Sequence, residues 1–311
     1  MTEQTTGHWR GVFAIPPTPF DENGALDEVS LRECVRFCLV AGVHGLVAPV
    51  NASEAAYLSE RERQRVTEII IEETQGRVPV VVGVTASCAE LAVPIASHAQ
   101  DVGADAIIAM PPFVQKGSPA EIRAYYSALD NAVSVPIFLQ NYGGPGGTPM
   151  SAELMAKMLR DLDNVRFVKE ETEFSSQLIT EIQAVAGPDV EGVMGGKAGR
   201  HLLDEFRRGA CGTMPACEVA DVHVKLWNSL EEGNLEAARK TFIQLLPLLL
   251  FETSYGVAVY KEVLQRRGVI SHAGHRQVGG KHLDKFALAE LDNILESLTP
   301  LMTVYGELKS R

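Results

Sequence analysis

Short apolar runs alternate with amphipathic stretches along the chain up to about residue 215. The runs Val12–Ile15, Gly45–Val50, Val80–Val84, Ala106–Met110, Pro136–Gln140, Val165–Lys169, Glu191–Met194 and the short Gly212–Met214 read as strands. Most are continuously apolar rather than alternating, the pattern of parallel strands buried on both faces. Helical periodicity fills the intervals near 28–40, 59–75, 88–102, 118–132, 150–160, 173–186 and 199–208. Ser118-Pro119 and Pro149-Met150-Ser151 read as helix openings, and Gly76, Gly103 and Gly209 follow helix-like stretches. Eight strands with intervening helices predict an α/β fold, a (β/α)₈ TIM barrel over residues 10–217. After 217 the strand signal disappears. Val219–Leu230, Leu235–Phe251, Ser254–Arg267 and His282–Leu298 read as helices, so 218–311 is expected to be a C-terminal helical appendage. It would either roof the barrel or supply subunit contacts.

Composition narrows the partners. The chain is 46% hydrophobic and 22% charged, ordinary for a soluble globular protein, and its formal charge of -12 argues against nucleic acid. Met1–Trp9 is polar and lacks an apolar signal core, and the apolar Leu245–Phe251 is too short to span a bilayer. A cytoplasmic protein without membrane or nucleic-acid partners is expected. Five scattered cysteines fit reduced thiols. His272 and His275 alone are closely spaced, in a Gly-containing loop that reads as solvated, so no metal is expected. No GxGxxG or GxxxxGK[ST] opens a helix. Gly143–Gly147 and Gly192–Gly196 read as loops where backbone turns sharply or approaches a ligand.

Barrel chemistry gathers at the C-terminal ends of the strands. Those positions here hold Asn51, Ser53 and Glu54, then Thr85, Pro111 and Pro112, Gln140 and Asn141, Lys169 to Glu171, and Gly195 and Gly196. The set has one lysine, several carboxylates and amide or hydroxyl donors, without a histidine cluster or cysteine nucleophile. A lysine in an apolar pocket becomes an amine nucleophile, able to form a Schiff base with a ketone. Glu171, two residues on, falls on the same strand face and could carry protons. The bland alternatives are a Lys169 that snorkels to solvent or pairs with an adjacent Glu, and a Glu54 that sits near a helix dipole. Lys197, in its glycine-rich setting, reads as a loop residue.

The same residues carry a resemblance over nearly the whole chain. Ala14-Ile15-Pro16-Pro17-Thr18-Pro19-Phe20, Ser53-Glu54, Leu58-Ser59-Glu60-Arg61-Glu62-Arg63, Met110-Pro111-Pro112, Asn141 and Val168-Lys169-Glu170 resemble the dihydrodipicolinate synthase/N-acetylneuraminate lyase superfamily. The resemblance implies a (β/α)₈ barrel with C-terminal helices, assembled as a homotetramer or homodimer. It also implies that Lys169 forms a Schiff base with pyruvate or another 2-oxo acid, with no cofactor beyond that covalent link.

Departures from the family's pattern redirect the chemistry. Hydroxyls usual after strand 2 reduce here to Ser53 within Val50-Asn51-Ala52-Ser53-Glu54, and the strand-5 tyrosine before Asn is Gln140. Pro112-Phe113-Val114 replaces a tyrosine pair, and Gly147 stands where synthases place an arginine before Thr. A glutamine cannot relay protons as a phenol does. With Gly209-Ala210-Cys211-Gly212-Thr213-Met214-Pro215-Ala216, these features look like the superfamily's dehydratase branch, whose members include L-2-keto-3-deoxyarabonate dehydratase. That implies a hydro-lyase converting a 2-keto-3-deoxy sugar acid to 2-oxoglutarate semialdehyde. Lys169 and Glu171 would be catalytic; Gln140, Ser53, Asn51, Gly195 and Gly196 would bind substrate. A pyruvate-releasing aldolase, a synthase-like enzyme and a non-catalytic sugar-acid-binding barrel stay open as alternatives.

Overall fold

The structure, a computed structural model, describes residues 9–279 and 282–306. Eight strands follow one another around a closed barrel in sequence order. They are β1 Gly11–Ala14, β2 Gly45–Val47, β3 Val80–Gly83, β4 Ala106–Ala109, β5 Ile137–Tyr142, β6 Val165–Glu171, β7 Gly192–Gly195 and β8 Gly212–Thr213. Helices α1 Glu28–Val40, α2 Glu60–Thr74, α3 Ala89–Asp101, α4 Pro119–Ala132, α5 Ala152–Asp161, α6 Ser175–Ala186 and α7 Leu202–Arg207 separate them. Helices α8 Ala220–Glu231, α9 Leu235–Tyr255, α10 Val257–Arg266 and α11 Lys285–Leu298 follow the last strand. The expected (β/α)₈ barrel with C-terminal helices is the observed fold.

Local chemistry explains the element edges. Ser59 and Ser118 each accept the N–H of the glutamate three residues on, whose carboxylate answers the cap's own N–H. Such boxes satisfy N–H groups that a helix start leaves unpaired. Helix α9 runs through Pro247 to Tyr255, beyond the expected stop at Phe251, and breaks at Gly256, whose φ of 52° suits glycine. Strands β5 and β6 also run two residues further than their apolar runs. The reason is that their polar ends find partners inside the fold, as described below.

Two compact units divide the chain. One holds Trp9, Arg10 and Pro79–Met214, hence β3–β8 and α3–α7; the other holds Gly11–Val78 and the described residues from Pro215 onward. The C-terminal helices belong to the same unit as β1, β2, α1 and α2. In that second unit, Arg267 is paired to Asp221 at 2.7 Å and Arg276 to Glu62 at 2.7 Å.

In the first unit, the β5–β6 register positions the chemistry. Ile137 lies opposite Val165, but Phe138 lies opposite Phe167, so Arg166 is skipped and points to solvent. A one-residue slip exchanges the two faces of a strand, and this irregularity fixes which residues share a face. Phe138 then stacks on Phe167 at 4.6 Å, with the Trp9 ring 5.6 and 5.4 Å from the two. Above this aromatic floor the pairs are Gln140 with Lys169, then Tyr142 with Glu171. Such tiers of inward side chains are how a barrel interior fills.

Candidate active site

Lys169 is 3% exposed, on the inner face of β6. Its Nζ lies 3.5 Å from Glu171 Oε1, an ion-pair distance too long for a good hydrogen bond. It makes no hydrogen bond to any described residue. Burial without bonding is what leaves an amine available as a nucleophile.

Glu171 is also buried and is held from two directions. Gln140 Nε2 donates to Glu171 Oε1 at 2.5 Å across the β5–β6 ladder. On the other side, Gly196 follows β7 and a Cβ there would sit 2.5 Å from Glu171 Cβ and 2.7 Å from Oε2. Any side chain at 196 would displace the carboxylate, so this glycine is a condition of the site's shape. Lys169, Glu171, Gln140 and Gly196 are thus brought together within one unit. Gln140, expected on a substrate hydroxyl, has one amide N–H on Glu171 and keeps a second.

The alternate residues of the same strands face outward and anchor the first set. Asn141 Nδ2 donates to Glu170 Oε2 at 2.6 Å and to Met150 O at 3.2 Å, while Asn141 Oδ1 accepts from Met150 N at 2.7 Å. Glu170 Oε1 accepts from the N–H and hydroxyl of Thr172 at 2.7 and 2.5 Å. Burial nonetheless pushes the Glu170 carboxyl above its usual range. Gly195, the last residue of β7, leaves room for Glu205, since a Cβ there would overlap Glu205 Oε2. That carboxyl is 1% exposed and accepts from Ser175 Oγ at 2.7 Å through Oε1, while Oε2 has no partner. Burial pushes it up to about 7.

The remaining candidates have their own settings. In the second unit, Ser53 is fully buried, donates to Pro16 O at 2.7 Å and receives Thr18 Oγ1 on its own carbonyl at 2.6 Å. Asn51 is exposed and opens the short 3₁₀ turn Asn51–Ser53. Glu54 is neither a solvated helix-start carboxylate nor open: it pairs with Lys261 at 2.5 Å and accepts the Arg276 N–H at 2.7 Å. Lys197, in the first unit, sits in a turn with φ 50° and pairs with the exposed Glu173 at 3.3 Å. Sequence reasoning passed over Tyr142 and Glu205. The period-two spacing from Gln140 would have found the first; nothing in the sequence marks the second.

Among the described residues, no group of three or more His, Cys, Asp or Glu could hold a metal ion, and no helix is long and apolar enough to cross a membrane. A cavity of about 480 Å³ opens beside Trp9, Phe167 and Gly192. It lies at the aromatic floor, away from the C-terminal strand ends where barrel enzymes work, and is not the candidate site.

Residues 8–294 match the dihydrodipicolinate synthetase family. The chain belongs to this family of lyases. Similar members include an L-2-keto-3-deoxyarabonate dehydratase of Azospirillum brasilense, 30% identical over 307 residues and covering 97% of this chain and 98% of that one. A 4-hydroxy-tetrahydrodipicolinate synthase of Bradyrhizobium diazoefficiens is 34% identical over 244 residues, 77% of this chain and 80% of its own. Among solved structures, dihydrodipicolinate synthase from Rhodopseudomonas palustris superposes with a TM-score of 0.86 at 27% identity, over 93% of this chain and 97% of that one.

Proposed function

We propose that the chain is a Schiff-base-forming hydro-lyase acting on a 2-keto-3-deoxy sugar acid, with L-2-keto-3-deoxyarabonate as its substrate and 2-oxoglutarate semialdehyde as its product. One observation carries the reading: a buried, unbonded Lys169 amine 3.5 Å from a carboxylate that Gln140 holds in place. The similarity to the Azospirillum dehydratase over 97% of the chain supports the choice of substrate.

The neutral amine of Lys169 attacks the C2 ketone, and loss of water gives an iminium. The positive nitrogen acidifies C3, whose proton passes to Glu171 and leaves an enamine. The enamine expels the C4 hydroxyl as water, carrying a proton that traces back to Glu171. Loss of a C5 proton gives an enol that tautomerises to the aldehyde, and water hydrolyses the imine to free Lys169. Further copies of this chain are the proposed partners, as a homotetramer or homodimer. The exposed row of Ile243, Leu246 and Leu250 on α9 supports this, and light scattering would read the assembly mass directly.

The deciding experiment incubates the protein with L-2-keto-3-deoxyarabonate and follows both semialdehyde and pyruvate. Semialdehyde is expected; pyruvate would make the enzyme an aldolase instead. Glu171→Gln should still give a borohydride-trapped adduct with pyruvate while dehydrating ~10²–10⁴-fold more slowly, the usual worth of a general acid–base group. Normal turnover by that variant would remove Glu171 from the mechanism.

A further inference from the structure

Tyr142 is the last residue of β5, and its register partner on β6 is Glu171. One tier below, Gln140 faces Lys169. Side chains two apart on a strand share a face, so Tyr142 stands over Gln140 as Glu171 stands over Lys169. The four make a two-by-two panel with strands ~4.8 Å apart and tiers ~6.6 Å apart along the chain.

The phenol is in an unusual state for a tyrosine of this unit. Tyr126 is fully buried and donates to Ala109 O at 2.6 Å, while the Tyr125 hydroxyl accepts the Ala86 N–H at 3.3 Å. Tyr142 is half-buried, and its hydroxyl makes no hydrogen bond to any described residue. Space is kept for it by the glycine-rich segment that follows. A Cβ on Gly144 would overlap the Tyr142 hydroxyl and ring. Gly144 has no left-handed φ to explain the absence of a side chain, so the room left for the phenol is the physical account of that glycine. Burial and the neighbouring Glu171 charge both hold the phenol's pKa above its ordinary value, so the group keeps its proton and can donate it.

We propose that Tyr142 is a second catalytic residue, whose phenol donates the proton that the C4 hydroxyl takes with it as it leaves. This rests on the dehydratase reading. Glu171 on β6 takes the C3 proton and becomes a carboxylic acid. The C3–C4 π bond forms as the C4–O bond breaks, the Tyr142 O–H bond breaks, and water departs. Glu171 then returns its proton to the Tyr142 phenolate, so both groups end as they began. Two residues share the task because Glu171 Oε1 is already occupied by Gln140 and faces Lys169, while the phenol's hydroxyl is free.

Hydrogen exchange separates the two steps. Exchange of the pyruvate methyl protons in D₂O needs Lys169 and Glu171 but no leaving group. Tyr142→Phe should trap pyruvate with borohydride and exchange its methyl protons at the parent's rate. It should also form semialdehyde from L-2-keto-3-deoxyarabonate ~10²–10⁴-fold more slowly. Gly144→Ala should show the same split by displacing the phenol, and the double variant should be no slower than Tyr142→Phe alone. Dehydration by Tyr142→Phe at the parent's rate overturns the assignment, as does equal loss of exchange and dehydration, which would place Tyr142 behind Glu171 rather than on the substrate. If the parent traps pyruvate but dehydrates no 2-keto-3-deoxy pentonate or hexonate, the dehydratase reading itself falls and takes this assignment with it.

Discussion

Lys169 and Lys261 are 3% and 0% exposed, and each faces a glutamate. Their surroundings differ in what they leave unused. Lys261 Nζ is 2.5 Å from Glu54, donates to Gly274 O at 2.8 Å, and lies 4.3 Å from the centre of the Phe20 ring. Arg276 completes the set by donating its N–H to the same glutamate and stacking on the same ring. Every feature of that amine is engaged, and it ties α10 and the segment near residue 275 to the turn after β2. Lys169 has one carboxylate at 3.5 Å, and the oxygen it faces is already hydrogen-bonded to Gln140. A buried lysine is therefore not a site by virtue of burial. It becomes one where its neighbours position it without consuming its donors.

The largest effect tests that distinction directly. Lys169→Ala should abolish turnover and the borohydride-trapped pyruvate adduct together, leaving the parent's far-UV circular dichroism in place. An adduct that survives, located by peptide mass at Lys261 or elsewhere, would break the comparison outright.

Lys261→Met is the converse. Removing one partner of a buried pair leaves the other charge uncompensated, a loss of about 3–5 kcal/mol. The urea midpoint should fall accordingly, while the variant that remains folded still traps pyruvate at Lys169. Adding Glu54→Leu should recover most of the loss, because replacing both members of a buried pair with apolar groups is far milder than removing one. A Lys261→Met protein as stable as its parent would show that the pair is not what holds those segments together.

How much of this was legible follows from where each signal lives. Lys169 announced itself as a lysine closing an apolar run, and Glu171 followed from strand parity alone. The eight strands and their helices were legible because two-sided burial leaves continuous apolar runs. Register was not. The skip at Arg166 that aligns Gln140 with Lys169 depends on how two strands pack, and no local pattern encodes it. Tyr142 was passed over because the apolar run stops at Gln140, which made the strand look shorter than it is. The Glu54–Lys261 pair spans 207 positions, so Glu54 read as a plausible site residue until its partner was in view. Gly195 and Gly196 were legible as close approaches, but what approaches them is the protein's own Glu205 and Glu171.

Glu205 extends the comparison from lysines to carboxyls and carries the smallest expected effect. Glu54 is buried against a cation; Glu205 is buried against Ser175, with one oxygen unpartnered and Glu170 nearby. Burial raises it from 4.5 to about 7, so the folded state binds its proton more tightly than the unfolded state does. Its stabilising contribution is therefore full below about pH 4.5 and is lost as pH rises through about 7. Glu205→Gln keeps the shape of the protonated acid but cannot ionise. The variant should match its parent near pH 4.5 and exceed it at pH 8, by at most about 3 kcal/mol for a shift of this size. Urea midpoints of both proteins at pH 5, 6, 7 and 8 read the difference, and subtracting one series from the other removes every other titrating group. A gap that stays constant with pH would mean that Glu205 is ionised throughout. The unpartnered oxygen behind Gly195 would then need a cation, as Glu54 has, rather than a proton.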